Sequence, residues 1–76
     1  MQKRLVIAEN IRRLITRRIK SGEFTSIEHF ASSTGVPKSL LSRLLNMKAD
    51  PKLSSLDKVA SALEVGVEDL LRDKSK

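Results

Sequence analysis

Apolar residues recur along this chain at intervals of three and four, and nowhere for long at intervals of two. That spacing lines one face of a helix, so the pattern predicts helices throughout and no strand pair. From Ile7, the positions Ile7, Ala8, Ile11, Leu14, Ile15 and Ile19 form one stripe, with Arg13, Arg17 and Lys20 on the opposite side. This first helix is long, and it is expected to end near Ser21-Gly22, where glycine is a natural terminator. Leu5 and Val6 lie off the stripe and either fray or meet another surface. Arg18 falls within it by angle, which implies an ion pair there or the end of the helix.

Four shorter helices follow. Thr25-Ser26, with Glu28 in capping-box spacing after Thr25, starts the second, whose Ile27, Phe30 and Ala31 precede a stop at Gly35. Pro37 opens the third, because a proline in the first turn gives up only an amide that has no helical partner. From it Leu41, Leu44 and Leu45 turn inward. Asn46 to Lys52 reads as a polar loop containing Asp50-Pro51, a pair that disfavours helix. Ser54, with Asp57 three residues on, starts the fourth helix, with Leu56, Val59, Ala60 and Leu63 inward. Val65-Gly66-Val67 then separates it from a fifth, Glu68 to about Asp73, carrying Leu70 and Leu71. Leu70 is assigned to the core, Leu5, Val6 and Leu71 to core or dimer contact, and the tail DKSK is expected to be loose.

Size and composition narrow the possibilities. The 76 residues are expected to form one domain, 1–76, near the lower limit for a core that holds without staples. No cysteine is present, and the single histidine, His29, builds no zinc site by itself and is read as solvent-facing. Leu5 to Ala8, the longest apolar run, is too short for a membrane span or a signal-peptide core, so the reading is a soluble, cytoplasmic protein without membrane contact. The serines have no base in any triad-like order and there is no glycine-rich phosphate loop, so no enzyme and no cofactor are expected.

Charge points to a partner. The formal charge is +6, and it is uneven: residues 1–52 hold eleven Lys and Arg against four Asp and Glu, whereas residues 53–76 hold four against five. A polyanion would meet the first part, either nucleic acid or an anionic membrane. Phe24 and Phe30 are the only aromatics, with Phe30 on the core face, which favours duplex DNA over single strands or RNA.

A four-residue link between the second and third helices is the setting of a helix-turn-helix. Ala31 is small where the two helices approach, Gly35 permits the turn, and Val36, Leu41 and Leu44 anchor the third helix. Its opposite face then carries Lys38, Ser39, Ser42, Arg43 and Asn46 at i, i+1, i+4, i+5 and i+8. Short hydroxyls at Ser39 and Ser42 suit close approach to base edges, and Arg43 can grip guanine O6 and N7 with two bonds. Lys38 reaches a guanine or a phosphate, and Leu40, if exposed, a thymine methyl. Backbone amides near Ser26 and Ile27 suit a phosphate oxygen, with Asn46, Lys48 and Lys52 holding the backbone on the other side. Arg12, Arg13, Arg17 and Arg18 are read as a solvated helix back rather than as phosphate contacts.

From about Thr25 to Leu71 the sequence resembles the lambda-repressor-like, Cro/C1-type (XRE) family of helix-turn-helix DNA-binding domains. SIEHFASSTGV matches the first motif helix and turn, PKSLLSRLLN the recognition helix, KADPKLSSLDKVASALEV the loop and fourth helix, and GVEDLL the fifth. The resemblance implies an all-α, compact five-helix domain, with an extended first helix here and residues 72–76 as a tail. It also implies binding of operator DNA as a homodimer, with Lys38, Ser39 and Arg43 reading bases and Ser42 a fourth. Departures are visible at Ile27, where many relatives carry glutamine, and at Leu45, which replaces a common glutamate. Met47 and Glu64 stand where relatives have glycine. The functional expectation is a repressor-like regulator of transcription without a small-molecule effector domain. Phage-type repressor, restriction-modification controller and antitoxin are equally compatible. The rivals are a protein-interaction module using Leu40 and Leu45 on a protein partner, an antitoxin-type partner with weak DNA binding among them, and non-specific coating of nucleic acid.

Overall fold

The computed structural model describes residues 3–48 and 52–72, which form five α-helices and no strand. They are α1 (Lys3–Lys20), α2 (Ile27–Thr34), α3 (Lys38–Leu45), α4 (Leu53–Ala62) and α5 (Val67–Leu71). Asp50-Pro51 and the tail DKSK lie outside the described residues, and the fifth helix ends at Leu71, short of the expected Asp73, because Arg72 is already in extended backbone. The stripes foreseen from periodicity converge on one core: Ile7, Ile11 and Ile15 from α1, Phe30 and Ala31 from α2, Leu41 and Leu44 from α3, Leu56, Val59 and Ala60 from α4, with Val36, Leu63 and Leu70. The first helix is the spine, packing against α2, α3 and α5, while α4 packs on α5. Helix α1 begins earlier than its stripe, so Val6 is buried and Leu5 half-buried. Leu14 and Ile19 lie at the core's margin.

Helix starts differ from expectation by a residue or so. Ser26, not Thr25, caps α2: its side chain accepts from the His29 N–H at 3.1 Å. The reciprocal bond comes from Thr25 N–H to His29 Nδ1 at 3.0 Å, while the Glu28 carboxylate turns to Lys38 instead. Two adjacent hydroxyls offered the same signal, and the one in extended backbone took the cap. Pro37 stands at the cap of α3, its carbonyl accepting from the Leu41 N–H at 3.0 Å. Ser54 caps nothing, because α4 is entered at Lys52, whose side chain makes no cap bond, and Ser54 already lies in the first turn. The fifth helix starts at Val67, with the Asp69 carboxylate accepting from the Gly66 N–H at 3.3 Å.

Helix ends share one device. A left-handed residue follows α1, α2, α3 and α4: Gly22, Gly35, Met47 and Glu64, with φ of 87°, 83°, 57° and 59°. After α1, the Gly22 and Glu23 N–H groups reach back to the Ile19 and Arg18 carbonyls; after α3, Met47 and Lys48 reach Leu44 and Arg43; after α4, Glu64 and Val65 reach Ser61 and Ala60. Such paired bonds satisfy carbonyls that a helix end would leave unmade. Gly35 makes the simpler bond, to Ala31 at 3.0 Å. The conformation suits glycine and strains the two residues that have a side chain there.

Two polar side chains tie the ends of the bundle. Asn10, buried within α1, donates from Nδ2 to the Leu70 and Arg72 carbonyls at 2.7 Å each and accepts from Arg13 at 2.9 Å. It thereby satisfies carbonyls at the end of α5 and fastens that helix to α1. Arg18, placed in the apolar stripe by its angle, is ion-paired: Nη1 lies 2.6 Å from Glu23 and 3.2 Å from Glu64, and Nη2 donates to the Leu63 carbonyl. Its hydrogen bond to Glu23 is the main cause that holds its pKa above the ordinary guanidinium value, burial opposing and Glu64 assisting.

Candidate functional site

Burial of Leu41 and Leu44 fixes the rotation of α3, and the residues one helix face away from them follow necessarily. Lys38, Ser39, Ser42 and Arg43 are all exposed. Arg43 has no hydrogen bond or ion pair among the described residues, so its guanidinium is available to a partner. Ser42 and Asn46 are joined directly: Asn46 Nδ2 donates to the Ser42 carbonyl at 2.9 Å and to Ser42 Oγ at 3.3 Å. The hydroxyl thus accepts from Asn46 and keeps its own O–H to donate. Lys38 is engaged as well, its Nζ lying 3.0 Å from a Glu28 carboxylate oxygen across the α2–α3 junction. Both partners are exposed, so the pair is weak and can open for a competing anion.

Leu40 and Leu45 are half-buried against the core. The thymine-methyl role considered for Leu40 required an exposed side chain, and the packing of α3 removes most of that exposure. Ile27, the first residue of α2, is likewise half-buried and packed against the core. Ser26 is exposed, with its oxygen occupied by the helix cap. By helix geometry the Ile27 and Glu28 N–H groups have no carbonyl one turn before them and point along the axis away from the helix. Lys48 and Lys52 are exposed on either side of the loop between α3 and α4.

An open groove of about 270 Å³ runs between α1, α2 and α3, lined among others by Ile27, Glu28, Lys38, Ser42 and Asn46. Four of the expected contact residues, Ile27, Lys38, Ser42 and Asn46, therefore line one channel. Its remaining wall contains Arg12 of α1, a residue that the sequence placed on a solvated helix back. No spacing within α1 reveals this, because it depends on where α3 crosses the first helix. Leu53 at the start of α4 is 70% exposed and Met47 after α3 is exposed too. Among the described residues no helix is long and apolar enough to cross a membrane.

The family model for the Cro/C1-type helix-turn-helix DNA-binding domain matches residues 10–76, all but the first nine positions. The match begins inside α1, well before Thr25, so it takes in most of the first helix as well as the motif itself. No match was found among curated proteins or among solved structures.

Proposed function

The chain belongs to the Cro/C1-type helix-turn-helix DNA-binding family, and from that premise we propose that it is a sequence-specific regulator that lays α3 in the major groove of duplex DNA. The observation that carries the reading is the outward face of α3, where two hydroxyls and an unpaired guanidinium stand on a helix anchored by Leu41 and Leu44. Lys38, Ser39, Ser42 and Arg43 read base edges, Arg43 by a bidentate bond to guanine. The amides of Ile27 and Glu28 beside Ser26, with Asn46, Lys48 and Lys52, hold phosphates and fix the register. A single α3 covers few base pairs, so the protein acts as a homodimer on a two-fold symmetric operator, its recognition helices about 34 Å apart. Occupation of that operator represses transcription.

A protein-interaction role is favoured by one observation, the exposure of the apolar side chains of Leu53 and Met47. Leu40 and Leu45, the side chains it first rested on, are partly used by the core. Titrating the protein against a pool of randomised duplexes and against a duplex enriched from that pool, over a range of salt, separates the possibilities. Preference for the enriched duplex at every salt concentration supports the proposal; equal affinity for both supports coating, and binding to neither supports the protein-interaction role.

A further inference from the structure

The arginine pairs Arg12-Arg13 and Arg17-Arg18 in α1 do not share one fate. Arg18 is held by Glu23, Glu64 and the Leu63 carbonyl, and Arg13 donates to the buried Asn10. Arg12, Arg17 and Lys20 are exposed and have no ion pair or hydrogen bond among the described residues. With Glu9, Arg13 and Thr16 they line one shallow concave stretch along the outer face of α1. Glu9 is the sole acid on it, at the end away from Lys20. From Arg12 to Lys20 the face spans about 12 Å at the rise of an α-helix. Arg12 also lines the groove beside Lys38, Ser42 and Asn46, so the cationic face of α1 continues the face of α3 rather than standing behind it.

We propose that Arg12, Arg17 and Lys20 form a second contact surface for the phosphate backbone of the same duplex, extending the protein's footprint beyond the base pairs that α3 reads. This rests on the DNA-binding reading above. The occupant follows from two features: a run of unsatisfied cations matches a polyanion, and the run is continuous with the surface at which that polyanion is read. Such contacts carry no sequence information and add affinity through counterion release. An arginine already committed to the fold contributes little, which is why Arg13 and Arg18 are left out of the set.

The test compares the parent chain with the triple variant Arg12→Gln/Arg17→Gln/Lys20→Gln. All three side chains are exposed and glutamine is a good helix former, so unchanged circular dichroism and melting temperature are expected. Affinity is measured on an enriched duplex and on a random one between 50 and 200 mM salt. Three phosphate contacts on each protomer, each contributing a slope of about −0.9, amount to about a 40-fold change over that interval for every protomer bound. The parent should therefore lose about 40-fold more affinity per bound protomer than the variant, and the variant should keep the parent's ratio between the two duplexes. A variant that matches the parent's salt slope overturns the second surface while leaving the role of α3 intact. A parent that binds neither duplex overturns both.

Discussion

Glu64 follows α4 with a φ of 59°, in the conformation that Gly22 and Gly35 adopt after α1 and α2. A side chain in that region costs about 1–2 kcal/mol. Replacement by glycine removes the strain, but the unfolded chain then has more freedom to lose, which takes back about 0.5–1 kcal/mol relative to alanine. The substitution also deletes the ion pair with Arg18, whose Glu64 side chain is 78% exposed and which is worth at most about 1 kcal/mol. Comparing Glu64→Gly with Glu64→Ala isolates the backbone, since both lose the carboxylate and only alanine keeps the strain. Glycine should therefore exceed alanine by about 0.5–1 kcal/mol, which is about 2–8 °C in melting temperature for a chain of this size. Glu64→Ala should fall slightly below the parent and Glu64→Gly should lie near it. Thermal and urea unfolding followed by circular dichroism measure the difference. Glycine less stable than alanine, as it is inside a helix, would refute the argument.

Asn10→Ala should cost about 2–3 kcal/mol in urea unfolding, because the Leu70 carbonyl is left buried without a donor and the Arg72 carbonyl loses its partner. Asn10→Asp keeps the shape but turns an acceptor toward those oxygens, so its carboxyl should bind a proton more readily when folded than when unfolded. Its deficit should accordingly shrink as the pH falls toward about 4; a pH-independent deficit would contradict the donor role. Phe30→Ala removes a fully buried ring that meets Phe24 edge-on at a centroid distance of 5.2 Å, and a loss of about 3–5 kcal/mol is expected by the same unfolding assay. Lys52→Ala should weaken binding to every duplex alike and lower the salt slope by about 1 for each bound protomer, measured by fluorescence anisotropy, without changing sequence preference.

Periodic burial was the legible part of the fold. Ile11 and Ile15, or Val59, Ala60 and Leu63, repeat at helical spacing, and an apolar stripe has little choice but to meet the core. Gly35 could be read because a sharp turn there needs a left-handed residue. Met47 and Glu64 adopt the same conformation without glycine's signature; only their departure from the family pattern marked them. Capping was less certain, since Thr25 and Ser26 are adjacent and both able to cap, and since Ser54 offered a signal one turn deep in a helix that had already begun. The tie made by Asn10 has no local signature, because the carbonyls to which it donates stand sixty and more residues away. The outward face of α3 was legible for a related reason: once Leu41 and Leu44 are assigned inward, Lys38, Ser39, Ser42 and Arg43 have only one side left. Arg12 was not, because its place beside them is set by how α1 and α3 cross.

Selection of bound duplexes from a random pool, carried out in parallel with the parent chain and with Arg43→Ala, addresses the role of α3 most directly. The parent should recover a two-fold symmetric sequence with a guanine in each half. Arg43→Ala should bind that sequence about 1–3 kcal/mol more weakly and tolerate other bases at the guanine position. An identical motif recovered at unchanged affinity by the variant would mean that the guanidinium reads nothing and that α3 does not lie in the groove as described.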